Sequence, residues 1–128
     1  MARIVLVNDE EDLVEMCKLV LEEVGHEVDA LIDPDRAFDL MLQKPPDVII
    51  LDWVMRDRTA DDLLRQIRGT SSLARAPVLI VSALADGAEK ARLYGADAFL
   101  AKPFSAEGLV ASVDRLTARA EPRAPAHL

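Results

Sequence analysis

Three short apolar runs constrain this chain more than any other feature: Ile4–Val7, Val48–Leu51 and Val78–Val81. β-Branched residues dominate them, and the runs are continuous rather than alternating. That pattern belongs to a parallel strand covered on both faces. Weaker runs at Val28–Ile32 and Ala98–Ala101 read as strands near the sheet edges. Between them lie amphipathic stretches of helical period. Asp12–Val24 places Leu13, Met16, Cys17, Val20 and Val24 on one stripe and stops at Gly25. Pro34–Gln43 carries Pro in its first turn, with Ala37, Phe38, Met41 and Leu42 turned inward. Ala60–Arg68 offers Leu63, Leu64 and Ile67, and Asp86–Tyr94 offers Ala88, Ala91 and Leu93. Ser105–Arg119 opens on a capping serine and carries Leu109, Val110, Val113 and Leu116.

Five strands alternating with five helices predict βαβ units, right-handed crossovers and a parallel α/β sheet. The doubly wound strand order 2-1-3-4-5 suits this length. With 128 residues there is material for one domain, expected over residues 1–118. Residues 119–128, with Pro122 and Pro125 and no apolar stripe, are expected to be a flexible tail or linker stub. Gly69–Pro77 reads as a polar loop. The net charge of −8 argues against duplex DNA or an anionic membrane as a direct partner, since both demand a basic face. No apolar stretch approaches the ~20 residues of a bilayer span. The single cysteine, Cys17, cannot pair internally and reads as a small buried hydrophobe; a reducing cytoplasm is the expected home.

In a sheet of this kind, ligands bind beyond the carboxyl ends of the strands. The residues that follow the strands are therefore the candidates. Asn8, Asp9 and Glu10 follow the first strand, Asp52 the third, Ser82 the fourth, and Lys102 with Pro103 the fifth. Two carboxylates ~5 Å apart repel by roughly 3 kcal/mol at an effective dielectric of ~20. A hard divalent cation removes that repulsion, and Mg²⁺ asks for only one or two protein carboxylates. Lys102 adds a compact positive charge and Ser82 a hydroxyl. No histidine lies nearby to act as a base, so the set makes a poor hydrolytic triad. It makes a good phosphoryl-receiving site.

Four segments, in this order and each after its strand, carry a resemblance: Val7-Asn8-Asp9-Glu10-Glu11, Leu51-Asp52-Trp53-Val54-Met55, Val81-Ser82-Ala83 and Lys102-Pro103-Phe104. Over about residues 2 to 118 the chain resembles the receiver domain of two-component response regulators, a flavodoxin-like, non-enzymatic signalling module. The resemblance implies that Asp52 is the phosphoacceptor and that Asp9, Asp52 and the Val54 backbone carbonyl bind Mg²⁺, with Asn8 able to hold a metal-bound water. It implies that Ser82 and Lys102 contact the phosphoryl group. It further implies that Ser82 and Phe99 form the switch and that the Lys102–Pro103 bond is cis. A histidine kinase or histidine phosphotransfer protein is the implied donor. The implied output is the surface of the fourth helix, fifth strand and fifth helix, with Lys90, Arg92, Tyr94 and Phe99, acting on a downstream protein, an effector domain or a second copy.

The chain departs from the family pattern at five positions. Asn8 stands where a second acid is usual, Arg56 follows Met55 where proline is usual, and Ala60 replaces a glycine. Val54 and Leu84 are apolar where polar residues often influence dephosphorylation, which predicts a long-lived phosphoryl group. Taken singly, each candidate also has an ordinary reading: Asn8–Asp12 an acidic helix start, Ser82 a cap, Lys102 a solvated charge, Phe99 core, His26 a turn residue without a role, Trp53 unexplained. A phosphorylation-independent interaction module is the competing function. An aspartate-nucleophile phosphatase would want an acid where Val54 stands, and a flavin or nucleotide carrier would want a glycine-rich loop after the first strand.

Overall fold

The computed structural model describes residues 2–55 and 58–120. Along the chain come β1 (Arg3–Val7), α1 (Glu11–Glu23), β2 (Glu27–Leu31), α2 (Pro34–Gln43), β3 (Val48–Asp52), α3 (Asp61–Arg68), β4 (Val78–Ser82), α4 (Gly87–Leu93), β5 (Ala98–Ala101) and α5 (Ala106–Ala120). The five strands form one parallel sheet in the order β2-β1-β3-β4-β5. A small antiparallel ribbon, Val54–Met55 against Arg58–Thr59, follows β3 and has no counterpart in the expected elements.

Strand residues alternate between two apolar layers, as their period of two requires. Val5, Val7, Ile49, Leu51, Val78 and Ile80 face Ala37, Met41, Leu63, Leu64, Ile67 and Ala91 of α2, α3 and α4. Ile4, Leu6, Val48, Ile50, Leu79 and Val81 face Cys17, Leu21, Leu109, Val113 and Leu116 of α1 and α5. Burying each Ile or Leu contributes roughly 1.5–3 kcal/mol, so both faces of the central strands must be apolar. That is why the three central runs are continuous in sequence. All five residues of β3 and of β4 are buried.

Several helix faces differ from their expected ones. Leu93 is 68% exposed and Ala88 is exposed, so α4 is held by Ala91. Leu42 and Val24 also face solvent. Val24 is the C-cap of α1, already rotated off the stripe where Gly25 turns the chain at φ +97°. The Gly69–Pro77 segment buries Leu73 under α3, so it is more than a polar loop. Ser105 caps α5 as expected, accepting the Gly108 N–H at 2.9 Å. The helix runs through Ala120, two residues beyond the expected domain end; residues 121–128, most of the expected tail, lie outside the described residues.

Two polar ties hold the frame. Arg68, at the end of α3, donates from Nε to the Gly95 carbonyl at 2.9 Å and from Nη1 to the Ala76 carbonyl at 2.8 Å. Its Nη2 meets Asp97 Oδ2 at 2.9 Å, the oxygen that also accepts the Val78 N–H. His26 is not idle either. Its Nδ1 accepts the Ala2 N–H at 3.0 Å, which ties the start of β1 to the turn after α1.

Candidate functional site

The register brings the expected residues to one end of the sheet. Val7 pairs with Leu51, Asp52 with Val81, and Ser82 with Ala101. The next residues along, Asn8 and Lys102, therefore stand at the tips beside Asp52 and Ser82. The chain is held there by backbone bonds: Trp53 N–H donates to the Val81 carbonyl and Lys102 N–H to the Ser82 carbonyl, both at 2.9 Å. The Lys102–Pro103 peptide is cis, as expected.

Asp52 is only 2% exposed, and an isolated carboxylate in such a place costs several kcal/mol. Lys102 compensates it: Nζ lies 2.9 Å from Asp52 Oδ2. The same ammonium lies 2.7 Å from Glu10 Oε1. Burial pushes the Asp52 carboxyl above the usual carboxylate range; the Lys102 hydrogen bond and charge pull it back, Glu10 adds to the rise, and the Val54 backbone bond opposes it. Burial works to lower Lys102, but the bonds to Glu10 and Asp52 outweigh it and the ammonium is held more firmly than usual. Lys102 is thus cationic at neutral pH, in place, and already in contact with the candidate acceptor.

The neighbours are ordered too. Asn8 is buried, and its Oδ1 accepts the Glu10 N–H at 2.8 Å. Ser82 is buried, and its Oγ accepts the Leu84 N–H at 3.0 Å. Phe99 is half-buried, and its ring crosses Gly87 beside Ser82. A Cβ on Gly87 would fall 2.7 Å from Phe99 Cε1 and 3.3 Å from Ser82 Cβ. Val54, two residues after Asp52, and Leu84, two residues after Ser82, carry exposed apolar side chains. Trp53 points the other way, into the core, with its ring 5.3 Å from that of Tyr94. Arg65 of α3 lies over Tyr94 at 5.9 Å.

Two features escaped sequence reasoning. Glu10 reads as part of an acidic helix start, yet its carboxylate reaches Lys102, 92 residues away. The short ribbon brings Ala60 back to Trp53, whose carbonyl accepts the Ala60 N–H at 2.9 Å. Ala60 sits there at φ −81°, a conformation that needs no glycine. Arg56 lies outside the described residues.

The donor set fits a hard cation of modest coordination demand. Among the described residues no group of three or more His, Cys, Asp or Glu side chains gathers around one point. The ligands that the resemblance implies, Asp9, Asp52 and the Val54 carbonyl, would offer two carboxylates and a third oxygen, a set that suits Mg²⁺ and its retained waters better than Ca²⁺ or Zn²⁺. A groove of about 530 Å³ opens beside the site, lined by Leu13, Met16, Pro103 and Phe104 and edged by Glu10, Asp12 and Lys102. No described helix is long and apolar enough to cross a membrane.

A doubly wound α/β sheet with a buried aspartate, a lysine contacting it and a serine at adjacent strand tips defines a signalling fold of the phosphoryl-receiving class. Residues 4–114 match the family model of the response regulator receiver domain, and the chain belongs to that family. It is 34% identical over 122 residues to the phosphate regulon transcriptional regulatory protein PhoB of Rhizobium meliloti (strain 1021), covering 94% of this chain and 54% of that protein. It is 33% identical to response regulator ArlR of Staphylococcus saprophyticus, covering 93% of this chain and 54% of that one. The chain thus spans about half the length of the curated relatives it matches. Among solved structures, the chemotaxis response regulator CheY4 of Vibrio cholerae superposes with a TM-score of 0.84 at 26% identity, covering 91% of this chain and 98% of that chain. NtrX from Brucella abortus superposes with a TM-score of 0.89 at 25% identity, covering 98% of this chain and 29% of that chain.

Proposed function

We propose that this receiver domain takes a phosphoryl group onto Asp52 from the phosphohistidine of a histidine kinase or phosphotransfer protein. The observation that carries the reading is the Asp52–Lys102 contact of 2.9 Å at the strand tips. A carboxylate oxygen of Asp52 attacks phosphorus, the phosphorus–nitrogen bond breaks, and the donor imidazole leaves. Lys102 meets a phosphoryl oxygen, and the Ser82 hydroxyl turns from Leu84 to another. Asp9, Asp52 and the Val54 carbonyl would hold Mg²⁺, with Asn8 reaching it through water, and the ion would neutralise the incoming oxygens. The groove beside Lys102, apolar on its floor and charged at its edge, supports docking of the donor domain there.

Movement of Ser82 towards the phosphoryl group opens room beside Phe99, whose ring turns inward and alters the α4–β5–α5 surface. That surface would act on a second copy, an effector domain or a separate protein. The net charge of −8 weighs against duplex DNA as a direct partner of this domain, and a cytoplasmic setting accords with its donor. The unremarkable backbone at Ala60 weighs against a phosphorylation-independent module.

The test is incubation of the full chain with Mg²⁺ and phosphoramidate, read by intact mass. One added phosphoryl group is expected in the wild type and none in Asp52→Asn. No adduct, with a cognate kinase as well, would favour the interaction module. An adduct persisting in Asp52→Asn would place the acceptor elsewhere.

A further inference from the structure

Glu10 occupies the N-cap of α1 but makes no side-chain cap bond. A residue at this position ordinarily spends its side chain on the first turn of its own helix. Here the Asn8 amide oxygen takes up the Glu10 N–H at 2.8 Å, and the Glu10 carboxylate is directed across the site to Lys102 Nζ at 2.7 Å. Lys102 therefore has two carboxylate partners, one buried and one at the rim. Asn8, the buried residue behind them, contributes no charge.

A cation arriving at Asp52 meets an ammonium already on that carboxylate. Mg²⁺ and Lys102 repel each other, and the ammonium must be drawn aside for the carboxylate to serve the metal fully. Glu10 is the partner that receives it.

We infer that Glu10 is a positioning residue of the acceptor site: it takes up the Lys102 ammonium and so frees Asp52 for the divalent cation. The inference rests on the reading of Asp52 as a metal-holding acceptor. Glu10 touches neither the metal nor the phosphoryl group in this role; it acts through Lys102.

The experiment is a Mg²⁺ titration of the full chain at constant ionic strength, read by Trp53 emission, on wild type, Glu10→Gln, Lys102→Gln and the double variant. Glu10 is exposed, so its replacement leaves the fold intact, and thermal melts verify this. Glu10→Gln is expected to weaken Mg²⁺ binding about three- to tenfold. In the Lys102→Gln background the same change is expected to alter affinity by less than about twofold, since the group through which Glu10 acts is gone. A Glu10→Gln affinity within about twofold of wild type overturns the inference, as does an undiminished effect in the Lys102→Gln background. A wild type without any Mg²⁺ response overturns both this inference and the acceptor reading. A normal wild-type response without a Glu10 effect overturns the inference alone.

Discussion

The Asp52 carboxylate and the Lys102 ammonium, 50 residues apart in sequence, meet at 2.9 Å with Asp52 almost wholly sealed from solvent. Such a pair is built for chemistry at a cost in stability. A raised carboxyl pKa means that the folded chain holds the proton more tightly than the unfolded chain does. Ionised Asp52 therefore costs stability above its ordinary value of 3.8, and the cost disappears as pH falls below it. Asp52→Ala is expected to melt higher than wild type at pH 7 by about 4 °C, with the gain shrinking towards pH 4. Lys102 keeps Glu10 as its partner in that variant. A lower melting temperature at pH 7 would contradict this account.

Val54, two residues after Asp52, and Leu84, two residues after Ser82, expose apolar side chains, 48% and 40% respectively. Neither can hold a water in line for attack on a phosphoryl group. The phosphorylated protein is expected to last minutes or longer in Mg²⁺. Val54→Asn and Leu84→Gln together should shorten its life about tenfold, as a positioned polar group commonly does. Decay can be followed by intact mass after removal of the donor; loss within seconds in the wild type would refute the expectation.

The contact between Gly87 and Phe99 offers a way to hold the switch on one side. A methyl group on Gly87 collides with the end of the Phe99 ring, which can yield by turning outward. Gly87→Ala is expected to cost about 1–3 kcal/mol and to blunt the amide shifts of α4 and β5 on phosphorylation. An unchanged spectral response would remove Phe99 from the switch.

Cys17 is buried between α1 and the sheet, and burial pushes its thiol up to about 11, with Lys102 pulling the other way. Iodoacetamide at pH 8 should leave it unmodified in the folded protein and label it fully in denaturant. Between pH 9 and about 11 the unfolded chain sheds this proton while the folded chain retains it. Stability present below pH 9 is therefore lost as pH rises towards 11, by about 2–3 kcal/mol, and Cys17→Ala should abolish that part of the decline.

The central strands are legible because parallel pairing buries both of their faces, which leaves a run such as Val48–Leu51 with no polar interruption until Asp52 at its tip. Asp52 and Ser82 could be located for the same reason, each being the first polar group after or at the end of such a run; Lys102 follows the weaker edge run Ala98–Ala101. Other features depend on partners distant in sequence. Nothing local to Glu10 indicates that its carboxylate goes to Lys102, and nothing local to Trp53 indicates Tyr94. The ribbon after Asp52 has two-residue arms, too short for any periodicity to register. Leu93 misleads because α4 has only seven residues, so one exposed leucine at its end looks like a core position. Leu73 misleads in the opposite sense, as a lone apolar residue among polar ones that is nonetheless buried.

The grip of Arg68 on Gly95 and Asp97 fastens the carboxyl end of α4 to α3. A short rod pinned at one end can only pivot. Under the proposed switch, a displacement started near Ser82 and Gly87 would grow with distance from that hinge, and the helix would move as a lever whose free end lies towards Ser82 rather than as a body sliding along the sheet.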